Sequence, residues 1–256
     1  MSAFVSETAQ ERLVGKTALV TGAGRRVGRA IATHLAKAGA NVVVHFGTSE
    51  AEAVEVCREL AALGVRTWPL QADLADEVQC EGLVPRALEL SGSLDILVNS
   101  ASIFPPGRMR DASIEDLTAS LQINAWAPFI IGKSFAGAVH EGSIVNILDS
   151  NIVSYTPGHM PYLLSKQVLA MLTRQMALEW APRIAVNAVA PGLILAPDGA
   201  PPEAMRRLLE GVPMGRQGEP DDVAEAVVFL AASRFITGQT IFVDGGRHLR
   251  GTERTA

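Results

Sequence analysis

The sequence predicts an α/β protein, a doubly wound parallel sheet of about seven strands with helices on both faces. Short apolar runs alternate with longer segments of helical periodicity along the chain. Such repeated alternation gives parallel strands joined by right-handed crossovers. Several runs are continuously apolar, as strands covered on both faces are. A glycine-rich turn links the first run to the first helical pattern.

Strands are expected at Thr17–Val20, 41–45, 66–70, 95–98, 143–148, 184–189 and Thr240–Val243. Between the first two, Val27, Ala30, Ile31, His34 and Leu35 repeat at the spacing of one helix face. Gly39 closes that helix and Gly64 the next. Ser113 and Asp116 form a capping-box start, another helix is expected over 123–139, and Pro220 suits a first helical turn. Residues 193–219 lack clear periodicity and are rich in Pro and Gly. A segment that long in a compact domain is expected to be functional. It reads as a lid over a ligand site, with a short helix around 203–209.

No linker or repeat divides the chain, so residues 1–256 read as one domain. The hydrophobic content of 48% suffices for a full core. With 22 basic and 27 acidic side chains the net charge is −5, which argues against a broad basic nucleic-acid surface. No apolar run is long enough for a membrane span, and Met1 to Gln10 does not resemble a signal peptide. A cytoplasmic enzyme is the expectation. Cys57 and Cys80 both fall in helical patterns, and the five histidines show no ligand spacing, so neither a disulfide framework nor a metal site is expected.

The turn reads Thr21-Gly22-Ala23-Gly24-Arg25-Arg26-Val27-Gly28. Its glycines permit a tight turn, and the helix after it presents free N–H groups and a positive dipole end to a pyrophosphate. The context of strand, turn and helix is the one a dinucleotide site requires. The second strand ends His45-Phe46-Gly47-Thr48-Ser49, with no carboxylate before Glu50 to hold a free ribose hydroxyl. Arg25, Arg26, Thr48 and Ser49 suit a 2′-phosphate, which predicts NADPH over NADH. Tyr162 and Lys166 lie four residues apart, on one helix face. A cation there is expected to lower the phenol pKa and make the tyrosine a usable acid.

These motifs together resemble the short-chain dehydrogenase/reductase family, whose fold is Rossmann-type, over nearly the full chain. Besides the turn and the Tyr162/Lys166 pair they include Asp73-Leu74, Asn99-Ser100-Ala101-Ser102, Asn124, Pro191-Gly192 and Val243-Asp244-Gly245-Gly246. The resemblance implies that Tyr162 donates a proton, Lys166 holds the ribose and tunes Tyr162, and Asn124 supports a water-linked relay. It implies cofactor contacts at Gly22, Val27, His45 and Phe46, and at Asp73 and Leu74 around the adenine. Further contacts are implied at Ser100, Ala101, Ile147, Pro191, Gly192 and, beside the nicotinamide, Leu193. A homotetramer is also implied.

The family's usual ketone-polarising serine, thirteen residues before the tyrosine, is here Asp149. An ionised carboxylate would repel a developing oxyanion. It can instead hydrogen-bond an amino-substituted nitrogen heterocycle. An aspartate there resembles the pteridine and dihydromonapterin reductases, as do Arg25-Arg26, His45-Phe46 and the ending Asp244-Gly245-Gly246-Arg247-His248-Leu249-Arg250. Ser100 departs from the asparagine expected at its place. In that subgroup an aromatic at Phe104 stacks the pterin on the nicotinamide, with Ser102, Asp149 and Tyr162 completing the substrate site. The expectation is an NADPH-dependent reductase of a dihydropterin C=N bond, with proton delivery by Asp149 and Tyr162. Three alternatives stay open: a 3-oxoacyl or sugar carbonyl reductase in which Ser150 replaces the serine, a catalytically silent NADPH-binding regulator, and a broad imine or quinone reductase.

Overall fold

The computed structural model describes residues 11–154, 157–195 and 202–250. Seven strands form one parallel sheet: β1 (Thr17–Val20), β2 (Asn41–Phe46), β3 (Thr67–Gln71), β4 (Ile96–Asn99), β5 (Gly142–Ile147), β6 (Ile184–Pro191) and β7 (Thr240–Val243). Their order is β3-β2-β1-β4-β5-β6-β7. The chain therefore winds outward in opposite directions from β1 and β4, and the loops leaving these two strands part. A crevice opens at their carboxyl ends, where ligands bind in such sheets.

The expected strands are present, β1 and β7 with the anticipated ends and the other five with an end shifted by one or two residues. Pro69 lies inside β3, which the sheet tolerates because β3 is an edge. β6 runs on to Pro191 because Ala190 and Pro191 pair with Phe242 and Val243. The helices are α1 (Arg26–Lys37), α2 (Glu50–Ala61), α3 (Glu77–Ser91), α4 (Ile114–Leu121), α5 (Ala127–Ala138), α6 (Met160–Trp180), α7 (Pro202–Glu210) and α8 (Pro220–Ala232). The Ser113–Asp116 capping box and the first-turn Pro220 are both present.

Strand alternation divides the core. Ala18 and Val20 of β1 point to one side and Leu19 to the other. α1 and α8 pack together on the first face, α3 and α5 on the second. Each fully buried Leu or Ile, such as Leu19, Ile31, Leu35 and Ile131, contributes about 2 kcal/mol. The helix expected from residue 123 differs from what is found. α4 passes through a π-helical turn at Gln122–Trp126 into α5, and that turn buries Asn124 completely. Such turns are frequent at functional sites and have no simple sequence signature.

Within the expected lid, the described part contains α7, one residue longer at each end than anticipated. Residues 196–201 lie outside the described residues. No helix among the described residues is long and apolar enough to cross a membrane. None of their His, Cys, Asp and Glu side chains form a cluster able to hold a metal.

Candidate active site

A cleft of about 700 Å³ follows the crevice from the turn after β1 to the region under α7. At its first end the backbone is drawn tight. Gly22 has φ of +65°, and a Cβ there would lie 2.9 Å from Ala101 Cα. A Cβ on Gly28 would lie 2.2 Å from the Gly22 carbonyl oxygen. Helix α1 thus rests directly on the turn. It starts with no side-chain cap and no acidic residue in its first turn, an arrangement that suits a pyrophosphate. Arg26 also lies in the left-handed region, at φ of 51°.

His45 corrects one expectation. It is buried in the strand, out of the cleft, and acts as a brace. Its Nδ1 accepts from the Gly22 N–H at 3.1 Å, so Nε2 carries the proton and donates to the Ala72 carbonyl at 3.1 Å. Burial pushes its pKa down to about 4, and the neutral tautomer is the one both bonds require. Phe46 and Leu74 are likewise core residues rather than cleft residues. Thr48, Ser49 and Asp73 sit on the loops after β2 and β3, beyond the lining of the cleft. Asp73 accepts from the Ala75 N–H at 2.9 Å. Arg25 lines the cleft and is ion-paired with Glu52 of α2.

The remaining expected residues converge on the cleft: Gly22, Arg26, Val27, Ser100, Ala101, Ser102, Phe104, Ile147, Asp149, Tyr162, Lys166, Pro191, Gly192 and Leu193. At its centre the Tyr162 hydroxyl donates to Asp149 Oδ2 at 2.9 Å. Asp149 Oδ1 accepts from the Asn151 N–H and from Asn151 Nδ2, each at 2.8 Å. Lys166 is buried and donates to the Ile147 carbonyl at 2.8 Å. Burial brings its pKa down to about 8, against the pull of Asp149.

Tyr162 reverses its expected tuning. Burial raises its pKa well above the ordinary phenol value, and the Asp149 charge and hydrogen bond raise it further. The phenol therefore stays protonated and orients the carboxylate. Lys166 sits 5.8 Å from the centre of the Tyr162 ring.

Ser150 departs from its anticipated role, and the structure gives the Asn124 side chain a bracing one. Ser150 Oγ is buried, has no hydrogen-bond partner and does not line the cleft, although Asp149 and Asn151 on either side do. The side chain of Asn124 is fully committed. Its oxygen accepts from Ser102 Oγ and the Ile103 N–H, and its nitrogen donates to the Ile103 carbonyl and Ser165 Oγ. The side chain thereby pins the loop that presents Ser102 and Phe104.

Phe104 stacks on His159 with ring centres 3.9 Å apart and meets Tyr162 edge-on at 4.6 Å. Its loop is pinned again where Gly107 and His159 bridge, through Gly107 N–H to Gly158 and Met160 N–H to Gly107. His159, Asn151, Leu208 and Arg247 also line the cleft, as do Leu148, Leu163, Ile194 and Leu195, and sequence reasoning missed all eight as site residues. The only signal for Asn151 and His159 was their nearness to Asp149 and Tyr162. A second cleft, of about 340 Å³, lies between residues 212–218 and β7. Its ionic groups are satisfied internally, Arg216 by Asp222 and Asp244 by His248.

A family model described as enoyl-(acyl carrier protein) reductase matches residues 22–248. The 3-oxoacyl-[acyl-carrier-protein] reductase FabG of Staphylococcus aureus is 36% identical over 247 residues, covering 91% of this chain and 98% of that protein. A short-chain dehydrogenase/reductase of Pestalotiopsis microspora is 33% identical over 254 residues, covering 92% of this chain and 96% of that protein. Among solved structures, FolM alternative dihydrofolate reductase 1 from Brucella canis, complexed with NADP, superposes with a TM-score of 0.86 at 33% identity, covering 94% of this chain and 96% of that one. A blue fluorescent protein from a metagenomic library, in complex with NADPH, gives 0.87 at 33% identity, covering 92% of this chain and 99% of that one. With the glycine turn, the Tyr162/Lys166 pair and the sheet order on the same chain, these matches show that the protein belongs to the short-chain dehydrogenase/reductase family.

Proposed function

We propose that the protein is an NADPH-dependent reductase of dihydropterins. The observation that carries this reading is the hydrogen-bond count at Asp149. A carboxylate offers about four acceptor sites. Three are filled, by Tyr162 and by two donors of Asn151. The remaining site belongs to Oδ2, in a group lining the cleft, and calls for a donor. A ketone has none to give, whereas the N–H edge of an amino-substituted ring does. The cradle of Gly22, Gly28 and the uncapped start of α1 fits a dinucleotide pyrophosphate, and Arg26 fits its 2′-phosphate. The NADP and NADPH complexes of the 33% identical structures support the same cofactor.

When bound, the dinucleotide supplies the hydride that the ring carbon gains. The proton that the ring nitrogen gains is drawn from solvent through the Tyr162–Asp149 pair, with Asn151 holding the carboxylate in orientation. Lys166 offers a buried cation to the ribose. Phe104, backed by His159, offers an apolar face to the pterin ring and keeps water from it. The exposed apolar side chains Met171 and Leu178 on α6 support assembly of several copies.

The FabG relatives favour a second reading, reduction of a 3-oxoacyl thioester. The buried Ser150 hydroxyl opposes it, because no serine then stands where the carbonyl would need one. The test is NADPH oxidation by the purified protein with dihydromonapterin, dihydrobiopterin, dihydrofolate and an acetoacetyl thioester in parallel. Turnover of pterins but not thioester is expected. Thioester turnover without pterin turnover would transfer the chain to the second reading.

A further inference from the structure

The chain reverses after β7 at two glycines, both left-handed, with φ of +63° at Gly245 and +84° at Gly246. A Cβ on Gly245 would lie 2.7 Å from Val212 Cγ1, so the turn fits closely beneath the 212–214 segment. Asp244 then organises the short 3-10 helix Arg247–Arg250. Its carboxylate accepts from the Gly246 N–H at 3.0 Å, from the His248 N–H at 2.7 Å and from His248 Nδ1 at 2.9 Å. His248 stacks on Phe242 with centres 4.1 Å apart. Arg250 donates to the Glu210 carbonyl at 2.6 Å and so ties this segment to the end of α7. The same short helix packs on the Ser150–Val153 turn that follows Asp149.

Arg247 stands on this rigid mount. It is half-buried and lines the cleft, as Asn151 and Leu208 do. Among the described residues, no carboxylate pairs with it. The other cations of the cleft are tied to the dinucleotide end: Arg25 pairs with Glu52, Lys166 is bonded to Ile147, and Arg26 belongs to the turn. A guanidinium held partly out of water without an anion is an incomplete site, and its fork matches a carboxylate.

We propose that Arg247 is a specificity residue that recognises a carboxylate on the substituent of the pterin, so that an anionic-tailed dihydropterin such as dihydrofolate gains affinity through it that a neutral polyol-substituted one does not. This rests on the pterin reading above. The Asp149 end orients the ring, and Arg247, on the far side of the turn after Asp149, meets the tail. The contribution falls on binding, because the tail does not change during the reaction.

The test measures kcat and KM for dihydrofolate and for dihydrobiopterin in the wild type, Arg247→Met and Arg247→Lys. A charge-assisted bond of this kind corresponds to about ten- to hundredfold in affinity. Arg247→Met is expected to raise KM for dihydrofolate at least about tenfold more than KM for dihydrobiopterin, and Arg247→Lys to recover part of the loss. An equal change for both substrates, or no change for either, would overturn the proposal while leaving the pterin reading intact. Wild-type enzyme that turns over neither substrate would sink both. If Arg247→Met does not fold, judged by NADPH binding, the Lys variant decides; an equal change in KM for both substrates counts against the proposal.

Discussion

Replacing Asp149 by asparagine changes one charge and almost no volume. The amide oxygen is expected to keep the two donors of Asn151, since each sits 2.8 Å away on the same atom. The NH₂ group then turns toward the Tyr162 hydroxyl and the substrate. A donor thus meets a donor where the wild type has an acceptor. Loss of the charge-assisted bond costs about 1.5–3 kcal/mol, and loss of proton transfer about 10²–10⁴-fold in rate. Steady-state assays with a dihydropterin should show kcat lower by about that factor, while NADPH affinity is unchanged. Removing the carboxylate also removes two of the three causes that raise the Tyr162 pKa. Tyrosinate absorbance in Asp149→Asn should therefore appear at lower pH than in the wild type. Asp149→Ser makes the opposite test for carbonyl substrates. A carboxylate about 4 Å from a developing oxyanion costs about 4 kcal/mol at an effective dielectric of 20. Thioester turnover should rise toward about 10³-fold once it is gone. Pterin activity of Asp149→Asn within threefold of wild type would refute the role given to this residue.

Other consequences are open to measurement. His45 is neutral in the fold down to about pH 4 but takes up a proton near 6.5 when unfolded. The unfolded state then binds more protons between these values, so stability falls as pH falls through that window, by about 2–3 kcal/mol from pH 7 to 4.5. Urea unfolding at the two pH values should show this in the wild type and lack it in His45→Gln; an equal acid loss in both would exclude His45 as the cause. Lys166 keeps its charge only below about pH 8, so kcat/KM for NADPH should decline as pH rises through 8, and a flat profile to pH 9 would contradict its ribose role. Arg26→Gly should lower the NADPH/NADH preference about tenfold or more, and it relieves a left-handed backbone at the same time. An unchanged preference would move the 2′-phosphate away from Arg26.

The parts of this molecule legible in sequence are those encoded by short-range pattern. The glycine turn works through its own backbone, and the Tyr162/Lys166 spacing is one helical turn, so both could be read locally. Asp149 was legible as a departure from an expected serine. What escaped the sequence depends on distant segments meeting. His45 sits beside the turn in space, but whether its ring faces ligand or core is decided by Ala72 and Gly22. The neighbour that controls the Tyr162 phenol is Asp149, not the lysine on its own helix, because burial and a carboxylate at 2.9 Å outweigh a cation directed to Ile147. Arg247 reaches the cleft through a glycine reversal and a helix cap more than fifty residues beyond Leu193. No periodicity marks that path.

The most direct measurement is a crystal structure with NADP⁺ and a dihydropterin together in the cleft. The pterin ring should lie against Phe104 with a ring N–H within about 3 Å of Asp149 Oδ2 and the Tyr162 bond retained. A pterin whose nitrogen edge points away from Asp149, or one bound outside the Phe104 face, would contradict the pterin reading.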